Sequence, residues 1–288
     1  MQRYIILVLT LSAALLSGCG SGTPTLTQAP PSTSLGSGGG SGTSGGSAAT
    51  SNPSSGGTVI ANIQALSKNW RSWGQAPPDY SDCSAPCSES SWEEVYGVAD
   101  PSLSGNATMF YLEPKIPYAD VLFSAGLIGQ NSPQLPDTTH TLLPTLHNFI
   151  YDTHFYVANS DVTQALEFDT VIQMNGVSMN WGNECNRLED GDWNIWDNAN
   201  AKWVSTGDSC EFVQGWNHLT LKMQREPDNT LIYQSITLNG TTYLLNRSFL
   251  PGNAPYSWWG LAVNFQMDSN SAGSPYTAYL DNFSFTYW

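Results

Sequence analysis

The chain has 288 residues, of which 11% are charged, with 24 acidic against 9 basic side chains and a formal net charge of −15. Phosphate backbones are held by clusters of Lys and Arg that displace counterions, and no such run occurs here, so a nucleic-acid partner is excluded. Aromatic residues make up 12% of the chain and include 11 Trp, an excess that has to be accounted for either by a core or by a ligand.

Arg3 precedes an apolar run from Ile5 to Leu16. The run is too short to span a bilayer and is followed by small residues, which is the pattern of an export signal. It closes in Leu16-Ser17-Gly18-Cys19, which resembles a bacterial lipobox. That resemblance implies removal of residues 1–18 and acylation of Cys19, so that lipid on Cys19 anchors the chain in a membrane. Gly20 in the next position, rather than Asp, implies the outer membrane or cell surface. The plainer alternative is an ordinary signal peptide with a Cys near its cleavage site. Residues 20–57 are dominated by Gly, Ser, Thr, Pro and Ala, without a charge or an aromatic ring, and are expected to form a disordered tether reaching roughly 34 Å. The folded domain is therefore placed at 58–288, after a lipidated Cys and linker at 19–57.

Four cysteines remain for an oxidising compartment, Cys83, Cys87, Cys185 and Cys210, and an even number there reads as disulfides. A local loop between Cys83 and Cys87 is the simplest pairing and leaves Cys185 with Cys210, a closure worth about 3 kcal/mol in the chain-entropy model. A zinc site is the alternative, but neither pair has a second ligand pair or a His near it in sequence.

Beyond Thr58 the chain breaks into short alternating segments separated by Gly, Asn, Asp and Pro, which predicts strands at 120–127, 148–158, 165–174, 192–197, 217–224, 230–238, 241–246, 260–268 and 278–287. Asn239-Gly240 joins two of them as a tight type I′ hairpin. With no helical punctuation and no internal repeat, the expected fold is all-β: a single-domain, two-sheet antiparallel jelly-roll sandwich. Alternation separates two faces. Leu166, Phe168, Ile172 and Met174 oppose Glu167, Asp169 and Gln173. Leu261, Val263, Phe265 and Met267 oppose Asn264, Gln266 and Asp268. Phe149, Tyr151, Phe155 and Val157 oppose Asp152, His154 and Tyr156.

Leu166-Glu167-Phe168-Asp169-Thr170, Trp216-Asn217-His218-Leu219 and Tyr279-Leu280-Asp281-Asn282-Phe283 resemble strands of the concanavalin A-like lectin and glucanase superfamily. In its laminarinase-like members, the resemblance implies Glu167 as nucleophile with Asp169 beside it. Val171, Ile172 and Gln173 stand where the general acid should follow, so Asp152 or Asp268 from a neighbouring strand would have to replace it. In legume lectins the same motif opens a manganese and calcium site. Asn175 is available to it, but no Asp follows before Glu184. Asp190, Asp192, Asp197 and Asn198 offer oxygen ligands for a structural Ca²⁺, against the plainer reading that they serve surface turns. Alginate-lyase-like members would use His154 and Tyr156 as base and acid, but the scarcity of Lys and Arg disfavours a polyanionic substrate.

Trp181, Trp193, Trp196, Trp203, Trp258 and Trp259 cluster around Asn- and Asp-rich segments. Indoles stack on the apolar faces of sugars and amides satisfy the hydroxyls. About half of the Trp residues, Trp216 included, are expected to fill the core instead. The reading is a lipid-anchored domain that binds a neutral glycan through Glu167, Asp169, Gln173, Asn194, Asn264, Gln266 and His154, with Trp181, Trp196 and Trp258 stacking. No cofactor is expected beyond the calcium ion named above. A glycoside hydrolase built on Glu167 and a second carboxylate is the alternative, and a surface or adhesion protein without a sugar ligand is the third.

Overall fold

The structure, a computed structural model, describes residues 56–75, 90–130, 132–254 and 257–288. The export signal, Cys19, the tether, Cys83 and Cys87 lie outside the described residues. In chain order the strands are β1 (Thr58–Ile60), β2 (Trp70–Gln75), β3 (Ser90–Val98), β4 (Ala107–Pro114), β5 (Asp120–Gly129), β6 (Leu135–Pro136), β7 (Asn148–Val157), β8 (Thr163–Met174) and β9 (Val177–Trp181). They continue with β10 (Asn183–Asn186), β11 (Asp192–Asp197), β12 (Lys202–Ser209), β13 (Gly215–Arg225), β14 (Leu231–Leu238), β15 (Thr241–Phe249), β16 (Gly252–Asn253), β17 (Gly260–Ser269) and β18 (Tyr276–Tyr287).

These strands make the expected two-sheet antiparallel jelly roll. One sheet runs β15-β14-β13-β7-β18-β4-β3, with β1 along β18. The other runs β12-β11-β10-β8-β17-β5-β2, with β9 on β8, β16 on β9 and β6 on β5. Between the sheets lie the rings that alternation assigns inward. Phe110 meets Phe123 at 4.7 Å and Phe265 at 5.3 Å, and Phe155 meets Phe168 at 5.1 Å. Each such pair adds about 0.5–1.5 kcal/mol to the burial of its rings. All three predicted inward sets are buried.

Each of the nine predicted strands corresponds to an observed one. At Asn239-Gly240 both residues have positive φ, 50° and 84°, and Leu238 pairs with Thr241, as a type I′ turn requires. The same Asn-Gly signal at Asn175-Gly176, with φ of 52° and 79°, turns β8 into β9, a hairpin absent from the sequence expectation. Cys185 and Cys210 are joined, with Cα atoms 5.5 Å apart, and so tie β10 to the chain leaving β12.

Two expectations about position fail here. Trp216 is not in the core. It lies half-buried on the outer face of the eight-stranded sheet, packed edge-on against Tyr156 at 5.4 Å, because Asn217 and Leu219 take the inward phase of β13. His154 and Asp152 share that outer face, since β7 pairs with β13 and β18. They are therefore in a different sheet from Glu167 and cannot join it.

Candidate functional site

The face of the ten-stranded sheet that points away from the core carries the amide and carboxylate residues. Strand pairing aligns them in rows across the sheet, because residues opposite one another on neighbouring strands share a face. In one row Asn194 lies opposite Glu184, Glu184 opposite Glu167, and Glu167 opposite Gln266. Gln266 continues through Leu122 to Trp73 on the edge strand β2. In the next row Asn264 lies opposite Asp169 and Ser124. Asp268 lies opposite Ala165 and Asp120 on the other side.

Side-chain hydrogen bonds run within the rows and, at Gln266, between two of them. Gln266 Nε2 donates to Glu167 Oε1 at 2.7 Å and to Asp268 Oδ1 at 3.0 Å. Asn194 Nδ2 donates to Glu184 Oε2 at 3.1 Å, and Asn264 Nδ2 to Asp169 Oδ2 at 3.4 Å. The backbone N–H of Asn183 donates to Asp169 Oδ1 at 3.2 Å. Although these side chains lie on the face away from the core, Glu167 and Asp169 are each only 3% exposed.

Glu167, Glu184 and Asp268 place one carboxylate oxygen each within 4.8 Å of one another. Burial disfavours their charged forms, and proximity adds repulsion. The Glu167 carboxyl is pushed well above its ordinary range by burial and then by Asp268 and Asp169. Glu184 is raised to about 8 by burial and by Asp268, and Asp268 to about 7 by burial, against the bond from Gln266. Asp169 is raised to about 7 by burial, against the bonds from Asn183 and Asn264. Carboxyls of this kind can hold protons near neutral pH or share a divalent cation, and as a proton donor paired with an acceptor they can support acid–base chemistry.

Glu167, Asp169, Gln173, Asn194, Asn264 and Gln266 are thus brought onto one face, together with Asp268. Glu184, which sequence reasoning passed over, completes the carboxylate group. The indole expectations need correction. Trp181 lies opposite Thr170, on the inward side, fully buried and packed on Phe149 at 5.5 Å. Trp196 is in phase with Asn194 but is only 5% exposed, because Trp203 on the edge strand packs against it at 5.2 Å. Trp258 is half-buried. His154 is absent from this face. Among the oxygens expected for calcium, Asp190 accepts from the N–H of Asp192 at 3.0 Å, Asp192 from Ser205 across the β11–β12 pair at 2.7 Å, and Asp197 from Asn200 at 2.7 Å.

No family model and no curated protein matches the chain. Among solved structures it is similar to the cellulose induced protein Cip1, at 13% identity and a TM-score of 0.35, over 76% of this chain and 91% of that one. It is also similar to the lectin UEA-II complexed with galactose, at 11% identity and a TM-score of 0.35, over 80% and 97% of the two chains. A third is peanut lectin with a nine-residue peptide, at 11% identity and a TM-score of 0.34, over 76% and 98%.

Proposed function

We propose that this is an exported protein, lipid-anchored through Cys19 at the outer membrane or cell surface, that binds a neutral polysaccharide or oligosaccharide on the polar face of its ten-stranded sheet. The observation that carries this reading is the row of amide and carboxylate side chains aligned across β11, β10, β8 and β17, hydrogen-bonded in pairs. It presents donors and acceptors side by side, as a polyhydroxyl ligand requires. A net charge of −15 turns polyanions away and leaves neutral glycans unaffected. Affinity electrophoresis through gels containing neutral polysaccharides tests the reading. Retention by at least one polysaccharide, reduced in Asn264→Ala, is expected, and free migration through every gel overturns it.

A second reading is favoured by one distance. Glu167 and Glu184 bring carboxylate oxygens within 4.8 Å, close to the separation of about 5 Å that a retaining glycoside hydrolase uses. Glu184, raised to about 8, would be the proton donor and Glu167 the nucleophile. Release of reducing ends from a retained polysaccharide, abolished in Glu184→Gln, is the expected result for an enzyme. Retention without release leaves binding alone.

A further inference from the structure

Between the carboxylate rows and the far end of β17, one row of the polar face carries neither a carboxylate nor a ring. Gly126 lies opposite Ala262, Ala262 opposite Val171, and Val171 opposite Asn180. This strip crosses β5, β17, β8 and β9, a span of about 14 Å at the ordinary interstrand spacing. On one side runs the row of Gly260, Gln173 and Ser178. On the other runs the row of Asn264 and Asp169.

Two glycines at the margins of the strip have no conformational need to be glycine, since neither has positive φ. Both are instead places where an indole lies. A Cβ at Gly182 would come within 3.0 Å of Trp203 Cη2 and 2.9 Å of Trp196 Cβ. A Cβ at Gly260 would come within 2.5 Å of Trp258 Cζ2. Each ring thus lies over a glycine, and Trp203 and Trp258 are each half-buried as residues. Along the strip two amide oxygens, Gln173 Oε1 and Asn180 Oδ1, are buried with no hydrogen-bond partner among the described residues. Their side chains are 3% and 7% exposed. A buried acceptor left without a donor is unfavourable, and a ligand hydroxyl would supply that donor.

We infer that this strip is the oligosaccharide subsite, with sugar faces on Trp203 and Trp258 and hydroxyl groups donating to Gln173 and Asn180. The inference rests on the glycan reading above and narrows it. Gly182 and Gly260 lie about four residues apart along the strands and two strands apart across them, a diagonal of roughly 16 Å. A ligand touching both indoles is therefore a short chain and not a single ring. Gly182 and Gly260 are positioning residues, because they make room for the indoles without touching the ligand.

The test is calorimetric titration of the full chain with cellohexaose, laminarihexaose, xylohexaose and mannohexaose, alongside the corresponding monosaccharides. The expected result is binding of at least one hexaose with no measurable binding of its monosaccharide. Trp203→Ala and Trp258→Ala should each weaken it about tenfold, the equivalent of one aromatic contact. Trp203→Tyr should retain most of the affinity, and Ala262→Leu, which fills the strip, should lose it. Gly182→Ala should weaken binding with every aromatic ring still present, accompanied by a shift in Trp fluorescence. If the wild type binds a hexaose and Trp203→Ala, Trp258→Ala and Ala262→Leu all bind it equally well, the subsite is wrong while the glycan reading stands. If the wild type binds none of the four hexaoses and migrates freely through every polysaccharide gel, both fail.

Discussion

The two outer faces of the sandwich both carry buried carboxylates, and their protonation is driven in opposite directions. On the eight-stranded sheet Asp281 accepts from Ser102 Oγ, Ser104 Oγ and the N–H groups of Leu103 and Ser104 at 2.6–2.9 Å. Burial works against the charge, but the bonds from Ser102 and Ser104 outweigh it and hold this carboxyl at about 2. On the ten-stranded sheet Glu167, Glu184, Asp169 and Asp268 share a handful of amide donors among four acids, and burial pushes all four upward. Supply of donors separates the two cases: a saturated carboxylate fixes a loop, whereas an undersupplied group is poised to accept something from outside.

The largest effect expected from this contrast is at Asp281. Asp281→Ala strands the donors of the 102–104 loop and of Gln64, which also reaches this carboxylate at 3.4 Å. It should cost about 3 kcal/mol in denaturant unfolding at pH 7. Because the folded pKa is depressed, the contribution is present above the ordinary carboxylate range and disappears as pH falls toward 2. A cost that stays the same at pH 7 and pH 2 would break the comparison.

The polar face should show the opposite slope. Its carboxyls are raised, so their contribution is full below the ordinary carboxylate pKa and is lost as pH rises through about 7 to 8. In buffers containing a chelator, unfolding free energy should fall between pH 5 and pH 8 by on the order of 2 kcal/mol. The double variant Glu184→Gln, Asp268→Asn should flatten that fall. An unchanged slope in the variant would show that these carboxyls are not its source.

How far each face was legible in the sequence follows from what alternation can and cannot say. Period two placed Glu167, Asp169, Asn264 and Gln266 on one side because β8 and β17 have clean inward sets of Leu, Phe, Val, Ile and Met. It could not say which face of which sheet His154 would meet, since that depends on β7 pairing with β13 and β18 across long loops. Glu184 was passed over because β10 is four residues long, all buried, with no alternation to read. β4 escaped notice for a related reason: Met109 and Tyr111 on its outward phase blur the contrast with Phe110 and Leu112. Trp196 shares the outward phase of Asn194 yet is covered by Trp203 on β12, a strand whose residues carry no inward apolar set to read from sequence.

The smallest effect belongs to the imidazole pair on the outer face, and it asks whether donor supply also governs partly exposed groups. His154 and His218 lie opposite each other on β7 and β13, with rings stacked 4.2 Å apart and 1° from parallel. Asp152 accepts from His218 Nε2 at 3.1 Å and from Thr220 Oγ1 at 2.5 Å. The bond to Asp152 raises His218, whereas burial and then the neighbouring His218 lower His154, against Asp152 and Asp281. Stacked rings this close accommodate one proton and resist a second, so His218 should take the first. Its contribution to stability is full below the ordinary His pKa and is lost as pH rises through its folded value. That of His154 runs the other way and is lost as pH falls. Asp152→Asn should lower the His218 pKa and cost about 1 kcal/mol or less at pH 6, with a smaller cost at pH 8, as suits a partly exposed pair. Side-chain NMR titration reads this directly: two separated imidazole transitions with His218 the higher are expected, and a single shared transition would mean that Asp152 does not distinguish the two rings.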